Sequence, residues 1–402
     1  MKSKSALQNT SIKLANWTST NESSILQEML KKSTSPDIIS FALGLPASEY
    51  FPIDDFKSAL EKILTQDERT LQYQPPLNSL KEHIVELMKL RGVTCDSSEI
   101  FLTTGAQQGA NLLVSILLDR KQKVILEEKT YTGFQQILKP FTADVRTVKS
   151  NYINGIDTDD LESKLKAEKN IAFLYIVADG HNPLSYSLSY EKRQKLAEIA
   201  DKYNLTIIED DPYGFINYSE TNLPALKSLN KDKILYVGTF SKILAPSLRC
   251  GWVIVPKKII PHLENVKEAN DINMAPLGQH LVNAYLDNQI LNQHLEKLKT
   301  NYKSRRDVMT GELRDKLGDY ANFEIPSNGL FIWVEFDKQF DTENLLNKAI
   351  EKYNTAYIPG NFFNVYKTEK VCNSMRLNFS ACNEETIKKG IGRLGELIKS
   401  AL

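Results

Sequence analysis

Cysteine and histidine are scarce in this 402-residue chain, and neither is arranged as a ligand set. The four cysteines, Cys95, Cys250, Cys372 and Cys382, are far apart and form no Cys-x-x-Cys pair. The five histidines include no close pair at metal-ligand spacing. We therefore predict neither a disulfide framework nor a metal site.

An excess of charge of one sign and a long apolar run are also missing. Lys plus Arg and Asp plus Glu both total 50, so the formal net charge is zero and we expect no nucleic-acid partner. No run approaches the roughly 18 apolar residues of a membrane span. The polar N-terminus lacks the apolar stretch of a signal peptide. We expect a soluble cytoplasmic protein that does not associate with membranes.

Short apolar runs alternate with helical patterns between about residues 99 and 255. Runs that are apolar on both faces and separated by helices are typical of a mostly parallel sheet. The predicted strands are Ile100–Leu102, Val124–Leu126, Ile171–Val177, Leu205–Ile208, Ile234–Val237 and Gly251–Val255. Before the fourth run, Ser189 is a plausible N-cap for a helix.

The pattern changes beyond about Leu298, which indicates a second, smaller α/β unit. Its predicted elements are a strand at Leu330–Glu335, a helix near Thr342–Tyr353, strands at Ala356–Ile358 and Met375–Phe379, and a helix from about Glu384. We predict that residues 1–60 form an N-terminal segment of this small domain. Residues 61–297 are the predicted large domain, and residues 298–402 complete the small one.

Segment Thr239–Gly251 follows a predicted strand, and in open α/β sheets ligands bind beyond the carboxyl ends of the strands. The Lys242 amine could condense with an aldehyde to form a Schiff base. The hydroxyls of Thr239 and Ser241 and the guanidinium of Arg249 are groups that hold a phosphate. The cofactor with both an aldehyde and a phosphate is pyridoxal phosphate. The alternative is a solvated lysine in a Ser/Thr loop.

Three further strand ends carry groups with a possible role, and each has a plainer alternative. The glycine turn in Thr103–Gly109 opens a helix and could receive a phosphate, although such turns are common. The ring of Tyr131 could stack on a heteroaromatic cofactor or belong to the core. The amide of Asn182 could donate to a phenolate or a carboxylate, or the Asn-Pro pair could simply mark a turn.

Glu209, Asp210 and Asp211 form an acidic run at another strand end. The run could be a metal site or a solvated acidic loop. A third possibility is that a buried carboxylate pairs with a pyridine nitrogen and keeps it protonated, so that the ring withdraws electrons.

In their order along the chain, these motifs resemble the fold-type I aminotransferases of class I/II, from about Ser23 to the C-terminus. The branch that includes 2-aminoadipate and kynurenine aminotransferases is the most similar. Its pattern is matched by Phe41–Pro52, Thr103–Gly109, Glu209–Tyr213 and Gly238–Trp252. The resemblance implies a mostly parallel central sheet in a large domain and a smaller α/β domain built from both chain ends. It also implies a pyridoxal-phosphate enzyme that moves an amino group between an L-amino acid and a 2-oxo acid.

The resemblance assigns roles to the cofactor-binding residues. Lys242 would anchor pyridoxal phosphate covalently and shuttle a proton between the substrate α-carbon and the cofactor. Asp210, three residues before Tyr213 as the family pattern requires, would meet the ring nitrogen. The residues implied for the phosphate are Gly105, Ala106, Gln107, Thr239, Ser241 and Arg249. Tyr131 would stack on the ring, while Asn182 and Tyr213 would hydrogen-bond its hydroxyl.

Substrate and subunit contacts follow from the same resemblance. Arg376, in Ser374–Phe379, would bind the substrate α-carboxylate with its planar fork, and Gly44 and Asn182 would also contact the substrate. Tyr73 resembles the tyrosine that reaches the phosphate of the other subunit. A homodimer with shared active sites is therefore implied by analogy.

The chain departs from the family pattern at three places. Asn182–Ser185 reads Asn-Pro-Leu-Ser where Asn-Pro-Thr-Gly is common, and Ala106 stands where serine is common. Gln27 stands where the aminoadipate branch often has an arginine, so we predict that 2-aminoadipate is not the preferred amino donor.

Two alternatives to amino transfer are kept. Another fold-type I reaction, such as cyclisation, β/γ-elimination or oxidation, would use the same cofactor residues. A transcriptional regulator with a DNA-binding head is the alternative from another class of protein. We do not favour it, because the 40-odd residues before Phe41 are too few for a helix-turn-helix domain of that kind.

Overall fold

A computed structural model describes residues 12–20, 37–66, 68–119, 122–336, 340–366 and 371–401. Gln27, on which the prediction about 2-aminoadipate rests, lies outside the described residues. Within those ranges, no helix has the length and apolar character needed to cross a membrane. The same ranges contain no group of three or more His, Cys, Asp or Glu side chains that could hold a metal ion.

A seven-stranded sheet forms the centre of the larger part of the protein. Its strands are β1 (Ile100–Thr103), β2 (Lys123–Glu127), β3 (Asp144–Val148), β4 (Ile171–Ile176), β5 (Thr206–Asp210), β6 (Ile234–Thr239) and β7 (Gly251–Ile254). The spatial order is β1-β7-β6-β5-β4-β2-β3. Only β7 runs antiparallel to its neighbours. The mostly parallel sheet expected from the apolar runs is confirmed.

Helices pack on the sheet and recur through the described residues from Ile53 to Lys399. The α-helices are α1 (Ile53–Gln66), α2 (Asn78–Lys89), α3 (Ala106–Leu117), α4 (Thr132–Leu138), α5 (Thr158–Ala167), α6 (Tyr190–Lys202), α7 (Ile260–Asp271), α8 (Pro276–Asp287), α9 (Leu291–Leu317), α10 (Thr342–Tyr353) and α11 (Glu384–Lys399). Short 3₁₀ helices lie at Asn16–Thr20, Ser48–Tyr50, Glu68–Leu71, Ser97–Glu99, Lys139–Phe141, Leu226–Ser228, Pro246–Leu248, Lys257–Ile259 and Gly360–Phe363. Ser189 caps α6 as predicted, because its hydroxyl accepts from the Lys192 amide.

A four-stranded sheet belongs to the smaller part. Its strands are β8 (Ala321–Asn322), β9 (Phe331–Phe336), β10 (Ile358–Pro359) and β11 (Ser374–Asn378), in the order β8-β9-β11-β10. Two-residue strands also pair outside the main sheets, Ser150–Asn151 with Gly155–Ile156 and Ile39–Ser40 with Thr355–Ala356. The second of these pairs joins the N-terminal segment to the C-terminal unit. The smaller unit therefore draws on both chain ends, as the resemblance implied.

Two differences from the sequence prediction have simple causes. Strand β3 was not predicted, because it is an edge strand in which polar and apolar residues alternate and only Val148 is fully buried. Helix α9 runs without interruption through residues 297 and 298, where the sequence pattern suggested a domain boundary. The domain limits 60/61 and 297/298 stay a prediction.

Candidate active site

A cavity of about 670 Å³ lies beyond the carboxyl ends of β1, β2, β4, β5 and β6. Most of the residues singled out in the sequence line it. They are Gly44, Ala106, Gln107, Tyr131, Asn182, Asp210, Tyr213, Thr239, Ser241, Lys242, Arg249 and Arg376. Residues up to 334 positions apart in the chain thus meet in one place, as the bond between Arg376 and Ala42 illustrates.

The Lys242 side chain enters the cavity just after β6. Its Nζ donates a hydrogen bond to the carbonyl oxygen of Gly44 at 2.8 Å. Burial lowers the pKa of Lys242 to about 8, assisted by the positive charges of Arg376 and Arg249 and opposed by Asp210. A lysine with a lowered pKa is partly neutral near pH 7, and the neutral amine is the nucleophilic form.

Asp210 ends β5 on the cavity wall and is only half paired. The hydroxyl of Tyr175 donates to Asp210 Oδ2 at 2.7 Å. Asp210 Oδ1 is buried without a hydrogen-bond partner among the described residues. Burial raises the pKa of Asp210 to about 6, the neighbouring Asp211 adds to this, and Tyr175 and Lys242 oppose it. A buried acceptor without a partner is costly, so this oxygen suits a ligand that brings a donor.

The other two carboxylates of the acidic run do not line the cavity. Asp211 accepts from Arg91 Nε at 3.0 Å, from the Gly214 amide at 2.7 Å and from the Tyr236 hydroxyl at 2.9 Å. Glu209 accepts from the amides of Leu226 and Lys227, each at 2.7 Å. The run is therefore neither a solvated loop nor a cluster facing one ion. Each carboxylate has a different environment.

Arg376 on β11 faces the cavity from the small domain. Its Nη1 donates to Asn182 Oδ1 and its Nη2 to the Ala42 carbonyl, both at 2.6 Å. Its Cζ lies 4.1 Å from the ring centroid of Phe331 and 4.8 Å from that of Phe363.

No carboxylate lies within salt-bridge distance of Arg376 in the part of the chain that the structure describes. Its Nε has no partner there either. Burial lowers the pKa of Arg376 to about 10, opposed by Tyr213 and Tyr131. A buried guanidinium without a counter-charge suits an incoming carboxylate.

Hydroxyl, guanidinium and amide groups meet at the start of α3. Thr239 Oγ1 donates to Ser241 Oγ at 2.9 Å and accepts from the Ser241 amide at 3.1 Å. Arg249 adopts a left-handed backbone conformation with φ 48°, and its Nη2 donates to the Thr104 carbonyl at 3.0 Å. The helix α3 begins directly beside them, and helix N-termini favour anions.

Glycine is required at position 105 in this arrangement. Gly105 does not line the cavity, but it has φ 82°, and a Cβ there would lie 2.7 Å from Arg249 Nη2. The same local packing explains Gly133, where a Cβ would lie 2.4 Å from the Tyr131 ring. Each glycine therefore lets a site side chain lie flat against the backbone.

Two tyrosines complete the inner wall. Tyr131 is the N-cap residue of α4, and burial raises its pKa, so its hydroxyl stays protonated at neutral pH. The Tyr213 ring packs edge-on against Phe331 with centroids 5.8 Å apart. Burial also raises the pKa of Tyr213, while a hydrogen bond with Asn182 opposes the shift.

Tyr73 lies outside the cavity and is 70% exposed. Among the wall residues that were missed in the sequence, Tyr175, Phe331 and Phe363 directly contact Asp210 or Arg376. Tyr175 and Phe331 stand within apolar strand runs and look like core residues there. No local pattern marks Phe363, which lies on a 3₁₀ helix next to β10.

Comparison with known proteins identifies the family. Residues 36–394 match the family "Aminotransferase class I and II", and the chain belongs to this family. The aromatic-amino-acid aminotransferase 1 of Thermococcus litoralis is 32% identical over 95% of this chain and 93% of its own length. The 2-aminoadipate transaminase of Thermus thermophilus is 30% identical over 95% of each chain.

The fold agrees with solved structures of the family. The kynurenine aminotransferase of Pyrococcus horikoshii, solved with PMP, superposes with a TM-score of 0.90 at 32% identity over 97% of each chain. The fold-type I architecture, the amino-transfer activity and the use of pyridoxal phosphate expected from the sequence are confirmed. The protein is a pyridoxal-phosphate-dependent aminotransferase that acts on small-molecule substrates.

Regulators also share this sequence pattern. The HTH-type transcriptional regulator NorG of Staphylococcus aureus is 30% identical over 80% of this chain and 71% of its own length. This match covers less of the chain than the matches to the two aminotransferases, which each cover 95% of it.

The side chains of the cavity fit pyridoxal phosphate. The cofactor has an aldehyde, a basic ring nitrogen and a phosphate. The cavity offers a lysine of lowered pKa, a buried carboxylate oxygen with no hydrogen-bond partner among the described residues, and polar groups beside a helix N-terminus. The cavity volume is within the range of cofactor sites.

Proposed function

We propose that Lys242 is the covalent anchor of the cofactor, that Asp210 pairs with its ring nitrogen, and that Arg376 binds the substrate α-carboxylate. The observation that carries this proposal is the meeting of three incompletely paired groups on one cavity wall. These are the Lys242 amine, Asp210 Oδ1 and the Arg376 guanidinium.

The residues divide the chemical work between them. When bound, pyridoxal phosphate supplies an aldehyde and a ring that withdraws electrons from the substrate α-carbon. Asp210 holds the proton on the ring nitrogen. Lys242 Nζ, with a pKa near neutrality, moves a proton to and from the α-carbon. Arg376 and Asn182 orient the substrate by its carboxylate, and Phe331 beneath the guanidinium keeps water away from this contact.

The remaining cofactor contacts are those that the family resemblance implies, and all of these residues except Gly105 line the cavity. Tyr131 would stack on the cofactor ring, and Asn182 and Tyr213 would hydrogen-bond its hydroxyl. The groups proposed for the phosphate are the Thr239 and Ser241 hydroxyls, the Arg249 guanidinium and the backbone of Gly105, Ala106 and Gln107. Gly44 contributes its carbonyl and the adjoining chain to the substrate side of the cavity.

We also propose a homodimer in which Tyr73 reaches the phosphate of the partner subunit. The support is that Tyr73 and Leu71, two large side chains on one short segment, are 70% and 71% exposed. Exposed apolar groups of this kind favour an interface. Light scattering of the purified protein tests the oligomeric state, and a monomer at micromolar concentration would contradict it. The cytoplasmic location and the domain limits stay predictions.

We propose that the preferred amino donor has a neutral, aromatic or polar side chain and is not 2-aminoadipate, with glutamate retained as a general amino donor. The sequence has the uncharged Gln27 where the aminoadipate branch often has an arginine. In the structure, the aromatic rings of Phe331 and Phe363 flank Arg376. Comparing kcat/KM for 2-aminoadipate, glutamate, leucine and kynurenine tests this. A clear preference for 2-aminoadipate that survives Gln27→Ala would contradict it.

The two half-reactions test the function as a whole. An amino acid should bleach the visible absorbance of the loaded enzyme, and a 2-oxo acid should restore it. A fold-type I enzyme that eliminates or cyclises would release product without this reversible change. A regulator would bind the amino acid without turning it over.

A further inference from the structure

We propose that Tyr175 is a positioning residue that holds Asp210 by Oδ2 and thereby presents Oδ1 to the ring nitrogen of the cofactor. The inference rests on the proposed role of Asp210. It concerns a residue that the sequence pattern does not mark and that makes one well-defined contact with the site.

The geometry fixes the tyrosine hydroxyl in one direction. Tyr175 is 2% exposed and stands on β4, next to β5, which ends in Asp210. Its ring stacks on Phe134 with centroids 3.6 Å apart and planes 14° from parallel. Phe134 belongs to α4, and its amide donates to the Tyr131 carbonyl at 3.1 Å. The ring therefore cannot turn away, and its hydroxyl meets Asp210 Oδ2 at 2.7 Å.

The hydroxyl always acts as the donor in this bond. Burial raises the pKa of Tyr175 well above its ordinary value, and the negative charge of Asp210 adds to this. A donor of this kind stabilises the ionised form of the carboxylate. Without it, both oxygens of Asp210 would be buried acceptors that lack a partner in the part of the chain that the structure describes. The bond thus sets which oxygen stays open and favours the charge that the ring nitrogen needs.

Other charged groups face Asp210 and have to remain constant in any test. Asp211 raises the pKa of Asp210, and Lys242 lowers it. The remaining titratable neighbours that interact with it are Tyr131 and Tyr213. The Tyr175→Phe substitution leaves all four of these residues in place.

Tyr236 on β6 provides a matched control. It is fully buried, and its hydroxyl donates to Asp211 Oδ2 at 2.9 Å. Tyr236 does not line the cavity, whereas Tyr175 does. Phenylalanine at either position removes one buried hydroxyl bonded to a carboxylate of the same acidic run. The two variants should lose similar stability and differ only in their effect on the cofactor.

The test compares Tyr175→Phe with Tyr236→Phe by the pH dependence of pyridoxal phosphate binding to the cofactor-free protein. Affinity should weaken as the pH falls through the pKa of Asp210. Tyr175→Phe should move this weakening to higher pH by about one unit, since a hydrogen bond to a charged group corresponds to roughly that shift. Tyr236→Phe should leave the midpoint where it is. Carbon-13 titration of Asp210 in the same proteins should report the same shift.

Each outcome decides the inference. Equal midpoints in the two variants would mean that Tyr175 only fills space, and the inference would be wrong. If Tyr175→Phe does not fold, 3-fluorotyrosine placed at position 175 keeps the ring and provides a stronger donor, so the midpoint should move to lower pH. No movement would then overturn the inference. If Asp210→Asn itself leaves cofactor binding unchanged at all pH values, the proposed role of Asp210 fails instead.

Discussion

Two buried polar regions meet at the end of β5, and they differ in how completely their charges are paired. The first is the cavity wall, defined here by Lys242, Asp210 and Arg376. The second is a buried ion network of Asp211, Asp179, Arg91 and Arg193 behind the wall. On the wall, Asp210 Oδ1 and Arg376 Nε lack hydrogen-bond partners among the described residues.

In the buried ion network, each side chain is held by several partners. Arg91 bonds both Asp179 and Asp211. Arg193 donates to Asp179 through Nη2 at 2.6 Å and through Nη1 at 3.1 Å. The two regions are one residue apart in the chain, at Asp210 and Asp211. The wall therefore leaves hydrogen-bonding groups open for a ligand, while the side chains of the network bond one another and hold the strand ends in place.

The largest expected effect comes from removing the lysine of the cavity wall. Lys242→Ala should lose the yellow colour and nearly all activity, by ~5 kcal/mol of barrier or more, since each ~1.4 kcal/mol is tenfold. Lys227 is a matched control, because burial also lowers its pKa to about 8 and it does not line the cavity. Lys227→Met should keep the colour and most of the activity per folded molecule. Equal losses of colour and activity in the two variants would show that the lysine of the cavity wall does not differ from a buried lysine elsewhere.

Replacing Asp210 and Asp211 in turn compares the cavity wall with the buried ion network at two adjacent residues. Asp210→Asn should slow turnover by several orders of magnitude, on the order of ~4 kcal/mol of barrier, because an amide cannot keep the ring nitrogen protonated. Asp211→Asn should have a much smaller effect on kcat. Single-turnover rates with the folded fraction measured separately provide the check. Similar rates for the two variants would contradict the assignment.

The same two substitutions should have the opposite order of effect on the free energy of unfolding. Asp211→Asn leaves Arg91 partly unpaired in the interior, so the cofactor-free protein should lose about 3–5 kcal/mol of stability. Asp210→Asn should instead stabilise it at pH 8. Burial raises the pKa of Asp210 to about 6, so the folded state binds this proton more tightly than the unfolded chain does.

The raised pKa of Asp210 also determines how the stability of the protein depends on pH. Stability attributable to Asp210 falls as the pH rises from about 4, the ordinary value of an aspartate, to the folded value of about 6. The gain of Asp210→Asn should therefore be near zero at pH 4 and reach up to ~3 kcal/mol at pH 8. Urea unfolding at the two pH values measures it. A gain that does not depend on pH would show that burial of the charge is not its cause.

The smallest expected effect concerns the substrate end of the wall. Arg376→Lys should raise KM for the best amino acid by about 10- to 100-fold, because an ammonium cannot replace a planar fork that bonds two oxygens. The colour of the bound cofactor should not change, since Arg376 is not assigned to it. Steady-state kinetics and the absorbance spectrum provide the two readouts. An unchanged KM would contradict the role of Arg376.

The sequence predicts the wall better than it predicts the network behind it. Polar groups directly after buried strands are a local signal, which marked Lys242 and the acidic run at residues 209–211. The spacing to Tyr213 in the family pattern then selected Asp210. The pairing of Asp211 with Arg91 joins residues 120 positions apart, and no local pattern reports it. Tyr175 was missed for a related reason. Inside an apolar strand, a tyrosine that supports a carboxylate looks the same as one that only packs.

The fold was predictable where burial is complete. Strands buried on both faces, such as β5 and β6, appear as continuous apolar runs, and their predicted limits lie within two residues of the structure. The edge strand β3 has no such run and was not predicted. The contact of Gly105 with Arg249 could not be foreseen, because it depends on how β7 lies beside β1.

Borohydride reduction of the purified wild-type protein, followed by peptide mapping, tests most directly whether the open bonds of the cavity wall serve the cofactor. Reduction fixes the cofactor to the amine that holds it. We expect one labelled peptide, with the phosphopyridoxyl group on Lys242 Nζ. Label on a peptide that lacks Lys242 would contradict it.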